Sequence, residues 1–259
     1  MSEVNAILAI AFRDLLKLLR DPSRMLSTFV FPLIFIGILG GSLQANLGAS
    51  AGYDLLAFVF TGVLAQTLFQ STAAGVISLI EDRENDFSQE IFVSPISRYS
   101  IVFGKILGES LVAFPQGAAI VIFGLIIGVG INASQLVGLL AVGLAICLFG
   151  GAFGIVVLSS LSSQRAANQI FPFILFPQFF TAGVFTPIQV LPLPLEILSR
   201  ISPMRYAVDL LRNIFYLRQA DYPQVTLDSP ALNILVMVLM FAAFMVVGTA
   251  LFVRKERNR

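Results

Sequence analysis

The placement of charge along this 259-residue chain constrains its fold more than any other feature. Five long stretches lack Asp, Glu, Lys and Arg: 29 residues between Arg24 and Asp54, 26 between Asp54 and Glu81, 55 between Glu109 and Arg165, 30 between Arg165 and Glu196, and 25 between Asp228 and Arg254. A charge at mid-bilayer costs roughly 2.5–3.5 kcal/mol on insertion scales, and a helical crossing takes about 20 apolar residues. Gaps of this length therefore read as membrane spans. The 55-residue gap would run about 80 Å as one helix, far beyond a hydrocarbon core of about 30 Å, so it folds back on itself. Asn132-Ala-Ser-Gln135 supplies the turn. Composition agrees, since only 12% of the residues are charged where a soluble domain carries about 25%.

The expected fold is all-α and integral to the membrane, a single transmembrane domain over 1–259 with six spans at 25–43, 56–80, 101–131, 135–161, 168–186 and 231–253. An even number puts both termini on one side. That side then holds 12 basic residues and the other holds four, Arg200, Arg205, Arg212 and Arg218. The positive-inside rule places both termini in the cytoplasm. Pro172, Pro177 and Pro187 would also suit a re-entrant fifth element, but that reading sends the basic tail outside, and six full spans are preferred. The first 24 residues carry seven charges, which argues against a cleavable leader.

Several chemistries are excluded. There is no histidine for a triad or an imidazole metal site, and the single Cys147 allows neither an internal disulfide nor a thiolate cluster. No catalytic or metal-ligating set can be named. Net charge is +1, which gives no nucleic-acid footprint. The only Gly-Lys pair, Gly104-Lys105, is not a phosphate loop, because Tyr99 stands where the first glycine belongs and Ile106 follows the lysine.

Three segments lie outside the predicted hydrocarbon. Residues 1–24 form an amphipathic interface helix, with Val4, Ile7, Leu8, Ala11, Leu15 and Leu18 on one face and Arg13, Lys17, Arg20 and Arg24 on the other. Residues 81–98 join the second and third spans; Phe87 and Ile91 share a helix face there and Pro95 ends the helix. By physics alone this is either a solvated turn or a short helix that transmits force. Residues 187–228 form a long external segment read as two short helices dipping into the outer leaflet, the second over Met204 to Gln219. Within the spans, Lys105 and Glu109 sit one turn apart and pair or snorkel. Phe171, Phe176, Phe179 and Phe180 enrich the fifth span, as lipid-facing packing or as a greasy wall along a path.

Asp82-Arg83-Glu84, Phe87, Glu90, Val93, Pro95, Ser97-Arg98 and Gly104-Lys105 together resemble the cytoplasmic motif of type-2 permeases of ATP-binding-cassette (ABC) exporters, and are similar in particular to daunorubicin-resistance-like drug and lipid exporters. Gly183, Pro187, Leu191-Pro192, Pro203-Met204, Tyr206-Ala207-Val208-Asp209 and Arg212 resemble the second signature of that family. Asp86 stands where the family often has glycine.

The resemblance implies a coupling helix over 81–95, with Glu81, Asp82, Arg83, Glu84, Phe87, Glu90, Ile91, Pro95 and Arg98 meeting a cytoplasmic ATPase subunit. It implies an external gate at Pro187, Pro192, Pro203, Tyr206, Asp209 and Arg212, and a second permease chain, with ATP and Mg held by two ATPase copies rather than by this chain. The expected activity is outward movement of a hydrophobic or amphipathic substrate across a bacterial inner membrane. A polysaccharide or lipid-linked glycan is the rival cargo, and an ATP-independent secondary transporter is the rival class. In a Cys147→Ala background, a cysteine at Ser2 should react with a membrane-impermeant maleimide only in inside-out vesicles, and one at Thr186 only in right-side-out vesicles; labelling of both from one side would break the six-span reading.

Overall fold

The computed structural model describes residues 3–20, 29–80, 97–159, 161, 163–189 and 191–257. Every regular element among them is a helix. In chain order these are α1 (Glu3–Leu19), α2 (Phe29–Ala51), α3 (Leu55–Gly75, continued through a bend to Ile80), α4 (Arg98–Ile126), α5 (Ala133–Ser159), α6 (Gln164–Thr181), α7 (Leu193–Ile201), α8 (Pro203–Phe215), α9 (Tyr222–Val225) and α10 (Pro230–Arg257). Five stretches are long and apolar enough to cross a membrane: α2, α3 with its continuation, α4, α5, and Tyr222–Arg254, which is centred on α10. The chain is a multi-pass membrane protein. The fifth expected span, 168–186, falls on α6, which has 18 residues and a polar start at Gln164, Arg165, Asn168 and Gln169.

Polar residues between the apolar runs set the helix starts. Asp54 interrupts two gaps and caps α3, its Oδ1 accepting from the amides of Leu56 and Ala57 at 2.9 and 3.1 Å. Ser97 accepts from the amide of Ser100 at 3.2 Å and opens α4. At the α4–α5 turn, Asn132 Oδ1 accepts from the Gln135 amide at 2.8 Å while Gln135 Oε1 accepts from the Asn132 amide at 2.7 Å, a reciprocal capping box. The turn read from the sequence is thus built by its own side chains. Pro115, Pro172 and Pro177 lie inside helices that continue past them, and α2 contains a widened π-helical stretch over Phe35–Gly40.

The centre of the bundle is α3. Two-thirds of its apolar window is buried, against 17% for the first and last spans, so it is apolar on all sides where they are apolar toward lipid. It packs on α2, α4, α5 and α8, while α10 packs chiefly on α5. The α3–α5 contact is close enough to need glycine. A Cβ added at Gly150 would lie 2.4 Å from the carbonyl oxygen of Phe69, and one at Gly154 would lie 2.4 Å from that of Ala73. Small residues four apart let membrane helices approach backbone to backbone, where dispersion holds them.

That seam yields a direct test. Gly154→Val should overpack it and cost about 1–3 kcal/mol, lowering the melting temperature in detergent. Gly41→Ala, where nothing lies within 4 Å of the added carbon, should leave it unchanged.

Candidate functional site

Two buried polar clusters sit at opposite ends of α3, one beside each segment singled out by the sequence. The first surrounds Lys105. Its Nζ donates to Asp14 Oδ2 at 2.7 Å and lies 3.1 Å from Glu109 Oε1, and the three side chains are only 2–4% exposed. Ser78 Oγ, near the end of the α3 continuation, donates to Glu109 Oε1 at 3.1 Å. Arg13 lies 3.2 Å from the other oxygen of Asp14, so two cations balance two carboxylates. Burying such a set costs several kcal/mol in desolvation per ion, and removing one partner costs about 3–5 kcal/mol because the others are left unpaired.

The approach of α1 explains how Asp14 reaches Lys105. The two helices run parallel: Glu3 accepts from the Ser97 amide at 3.1 and 3.3 Å, and Gly104 and Gly108 lie against α1. A Cβ on Gly104 would sit 3.1 Å from the Ile7 Cα, and one on Gly108 would sit 3.0 Å from the Ala11 Cα. The Glu3 carboxyl is held below its ordinary pKa by hydrogen bonds from the Ser100 side chain and the Ser97 amide. Of the expected apolar face, Ala11 and Leu18 are buried, Ile7 and Leu15 are half-buried, and Val4 and Leu8 are exposed. The α4 contact therefore splits the face that the periodicity assigned to headgroups. Asp14, an acid in helical register with Ile7, Ala11 and Leu18 on the apolar face, was the missed signal, together with the Gly-x-x-x-Gly spacing at 104–108.

Among the expected coupling residues, Glu81, Asp82, Arg83, Glu84, Phe87, Glu90, Ile91 and Pro95 lie outside the described residues, as does Arg24 of the interface helix. Arg98 begins α4 and is half-buried. Lys17 and Arg20 are exposed.

The second cluster gathers the expected gate residues on α8. Arg212 is fully buried, with Cζ 3.6 Å over the Phe58 ring centroid; it donates to the carbonyls of Phe58 and Val184 at 3.3 Å and to Thr61 Oγ1 at 3.4 Å. Burial pushes the guanidinium down to about 10, which leaves it charged at neutral pH. Gly62 makes room, since a Cβ there would lie 2.1 Å from the Val184 oxygen. Asp209 turns elsewhere. It accepts from the amides of Leu227 and Asp228 at 2.8 and 2.9 Å and from Asn233 Nδ2 at 2.7 Å, and so ties α8 to the start of α10. Burial raises its pKa despite these donors.

Around them, Tyr206 donates to the Arg200 carbonyl at 2.7 Å across the α7–α8 elbow. Pro203 starts α8 and is buried, whereas Pro187 and Pro192 are exposed. Gln178 of α6 accepts from Ser202 Oγ and the Met204 amide, and Gln135 donates to the Phe215 carbonyl at 2.7 Å.

The fifth-span phenylalanines divide between core and surface. Phe171 and Phe179 are buried, while Phe176 and Phe180 are exposed and stack edge-on, with centroids 5.4 Å apart.

Residues 5–216 match the ABC-2 type transporter family, a stretch that includes the Lys105 cluster and the contacts of Arg212 but ends before the donors to Asp209. The chain belongs to that family. A chain of Cyanophora paradoxa named as the transport permease ycf38 is 23% identical over 82% of this chain and 74% of its own length. Its namesake in Porphyra purpurea gives the same identity and coverage. An Escherichia coli K12 chain named as the multidrug ABC transporter permease YbhR is 29% identical over 56% of this chain and 39% of its own. ABC-2 permeases normally work with an ATPase subunit, and Lys105 and Arg212 both lie inside the family match.

Asp209→Ala should leave one buried donor, Asn233, and two half-buried amides unmet, at about 1–3 kcal/mol for the buried one, and appear as a marked fall in melting temperature. The raised pKa means the native state holds the Asp209 proton to higher pH than the unfolded chain. This group's contribution is therefore fully present below the unfolded value and is lost as pH rises through the native one. Asp209→Asn should remove that part of the pH dependence in thermal unfolding profiles.

Proposed function

We propose that this chain is the membrane permease subunit of an ATP-driven exporter that moves a hydrophobic or amphipathic substrate outward. The observation that carries the reading is the family match over residues 5–216, which takes in Lys105 and Arg212, in a sequence without a phosphate-binding loop. ATP and Mg belong to a partner, two copies of a cytoplasmic ATPase subunit, and a second permease chain completes the path. Both termini face the cytoplasm of a bacterial inner membrane, in keeping with the 12-to-4 distribution of basic residues.

Residues 81–95 form the coupling helix, an amphipathic segment with charges at Arg83 and Glu84 and an apolar plug at Phe87 and Ile91, suited to a groove on the ATPase. Its stems, Ser78 and Ser97, are held by the Lys105 cluster and by Glu3. At the other end, α7 and α8 form the external gate. Support for a greasy cargo comes from α6, where Phe173, Phe176 and Phe180 are exposed, and from the engagement of Lys105 and Arg212 with groups of the protein itself.

Co-purification with a candidate ABC ATPase subunit co-expressed with the chain, followed by ATPase assay in lipid, tests the reading. Wild type should bring the ATPase down and stimulate it. Glu84→Ala and Phe87→Ala should each weaken the complex about tenfold or more, the scale of losing an interface hot spot. A chain that binds no such ATPase, with variants indistinguishable from wild type, would return the choice to gradient-driven transport.

A further inference from the structure

We infer that Lys105 is a positioning residue that locks α1 to the start of α4 and to the end of the α3 continuation, so that these three pieces move as one body. This deepens the ATP-driven reading and rests on it. The α3 continuation reaches α1 through an unbroken polar chain: Ser78 to Glu109 at 3.1 Å, Glu109 to Lys105 at 3.1 Å, and Lys105 to Asp14 at 2.7 Å. The start of α4 reaches it directly, through the Ser97 amide on Glu3 at 3.1 Å. The two anchor points on α1 are eleven residues apart, about 16 Å of continuous helix. A rod fixed at two points turns a displacement of those points into movement of the whole rod.

The chemistry of the seam explains why an ion cluster serves here. Gly104 and Gly108 bring the two backbones together, but a glycine seam in an apolar setting has no directional contact to stop one helix sliding along the other. A buried ammonium shared by carboxylates on α1 and α4 does, because a one-turn slip of about 5.4 Å would break the Lys105–Asp14 contact and leave Asp14, buried in the seam, without the ammonium that faces it. Buried ionic groups act best as register devices. Among the described residues, Lys105 joins Glu109 and Asp14, which lie on two different helices.

The test uses the full chain with its ATPase subunit in vesicles of phosphatidylethanolamine and phosphatidylglycerol, in a Cys147→Ala background. Ile10→Cys with Gly104→Cys places two β-carbons 3.5 Å apart across the α1–α4 seam, within the spacing a disulfide requires, and the reduced pair is compared with the chain that lacks it. Disulfide formation is followed by mass, and each sample is assayed oxidised and reduced for permease-dependent ATPase stimulation and for extrusion of the lipophilic dye rhodamine 6G. If α1 and α4 move together, the oxidised form should match the reduced form within about twofold. Lys105→Met should lose about tenfold of the stimulation, within the range of energetic coupling between sites, while still binding the ATPase. Oxidising the cysteine pair in the Lys105→Met chain should restore the stimulation, which a substrate-binding lysine would not allow, and thermal unfolding of reduced Lys105→Met should show it still folded at the assay temperature, which separates a lost link from lost stability. An oxidised pair that silences the otherwise wild-type chain, or fails to rescue Lys105→Met, overturns this inference alone. Absence of stimulation in every sample, wild type included, overturns the ATP-driven reading and this inference with it.

Discussion

A charge taken out of water must be answered by charge or dipole inside the protein, and the two cations that this chain buries most completely obey that constraint in different ways. Lys105 is answered by carboxylates on its own helix and on α1. Arg212 is answered by an aromatic face, two carbonyls and a hydroxyl. The first arrangement joins separate elements through ions whose loss leaves a neighbour stranded. The second spreads a delocalised cation over dipoles that the backbone supplies, a geometry that suits a planar guanidinium better than a compact ammonium.

The rest of the bundle is arranged around these two points. α3 runs between them, with Phe58 and Thr61 near its start meeting Arg212 and Ser78 in its continuation meeting Glu109. A helix buried on all sides has little freedom to shift alone, because its neighbours interdigitate at crystal-like density. Movement at one end is therefore carried along α3 as a displacement of the whole element. The glycines facing α5 add to this, since backbones in direct contact leave no side chains to flex between them.

Much of this was legible from charge spacing. The gaps between ionisable residues located the long helices, and Asn132-Ala-Ser-Gln135 was identified as the hairpin turn that its reciprocal caps now explain. The two short helices after Pro187 and the pairing of Lys105 with Glu109 were also readable. The role of Asp14 was not. Helical periodicity records which residues share a face, not which neighbour that face meets, and α1 finds its neighbour some ninety residues along the chain. The same limit applies to Asp209 and Arg212, which the resemblance grouped in one external gate although each turns to a different helix. Phe171 and Phe179 are buried while Phe176 and Phe180 are exposed for a related reason: a phenylalanine-rich helix looks alike on every side until its packing partner is known.

The separation of Asp14 and Lys105, 91 residues along the chain, also orders events during synthesis. At about 5–20 residues per second, the N-terminal helix exists for several seconds before the lysine that completes it has left the ribosome. Throughout that interval Asp14 lacks the ammonium it will pair with, and α1 has no glycine seam on which to settle. The helix must wait in an aqueous or headgroup environment, where an exposed carboxylate costs nothing, while the first two spans insert ahead of its partner. Its amphipathic character thus has a use before the fold is finished, as a holding state for a part that arrives first and docks late.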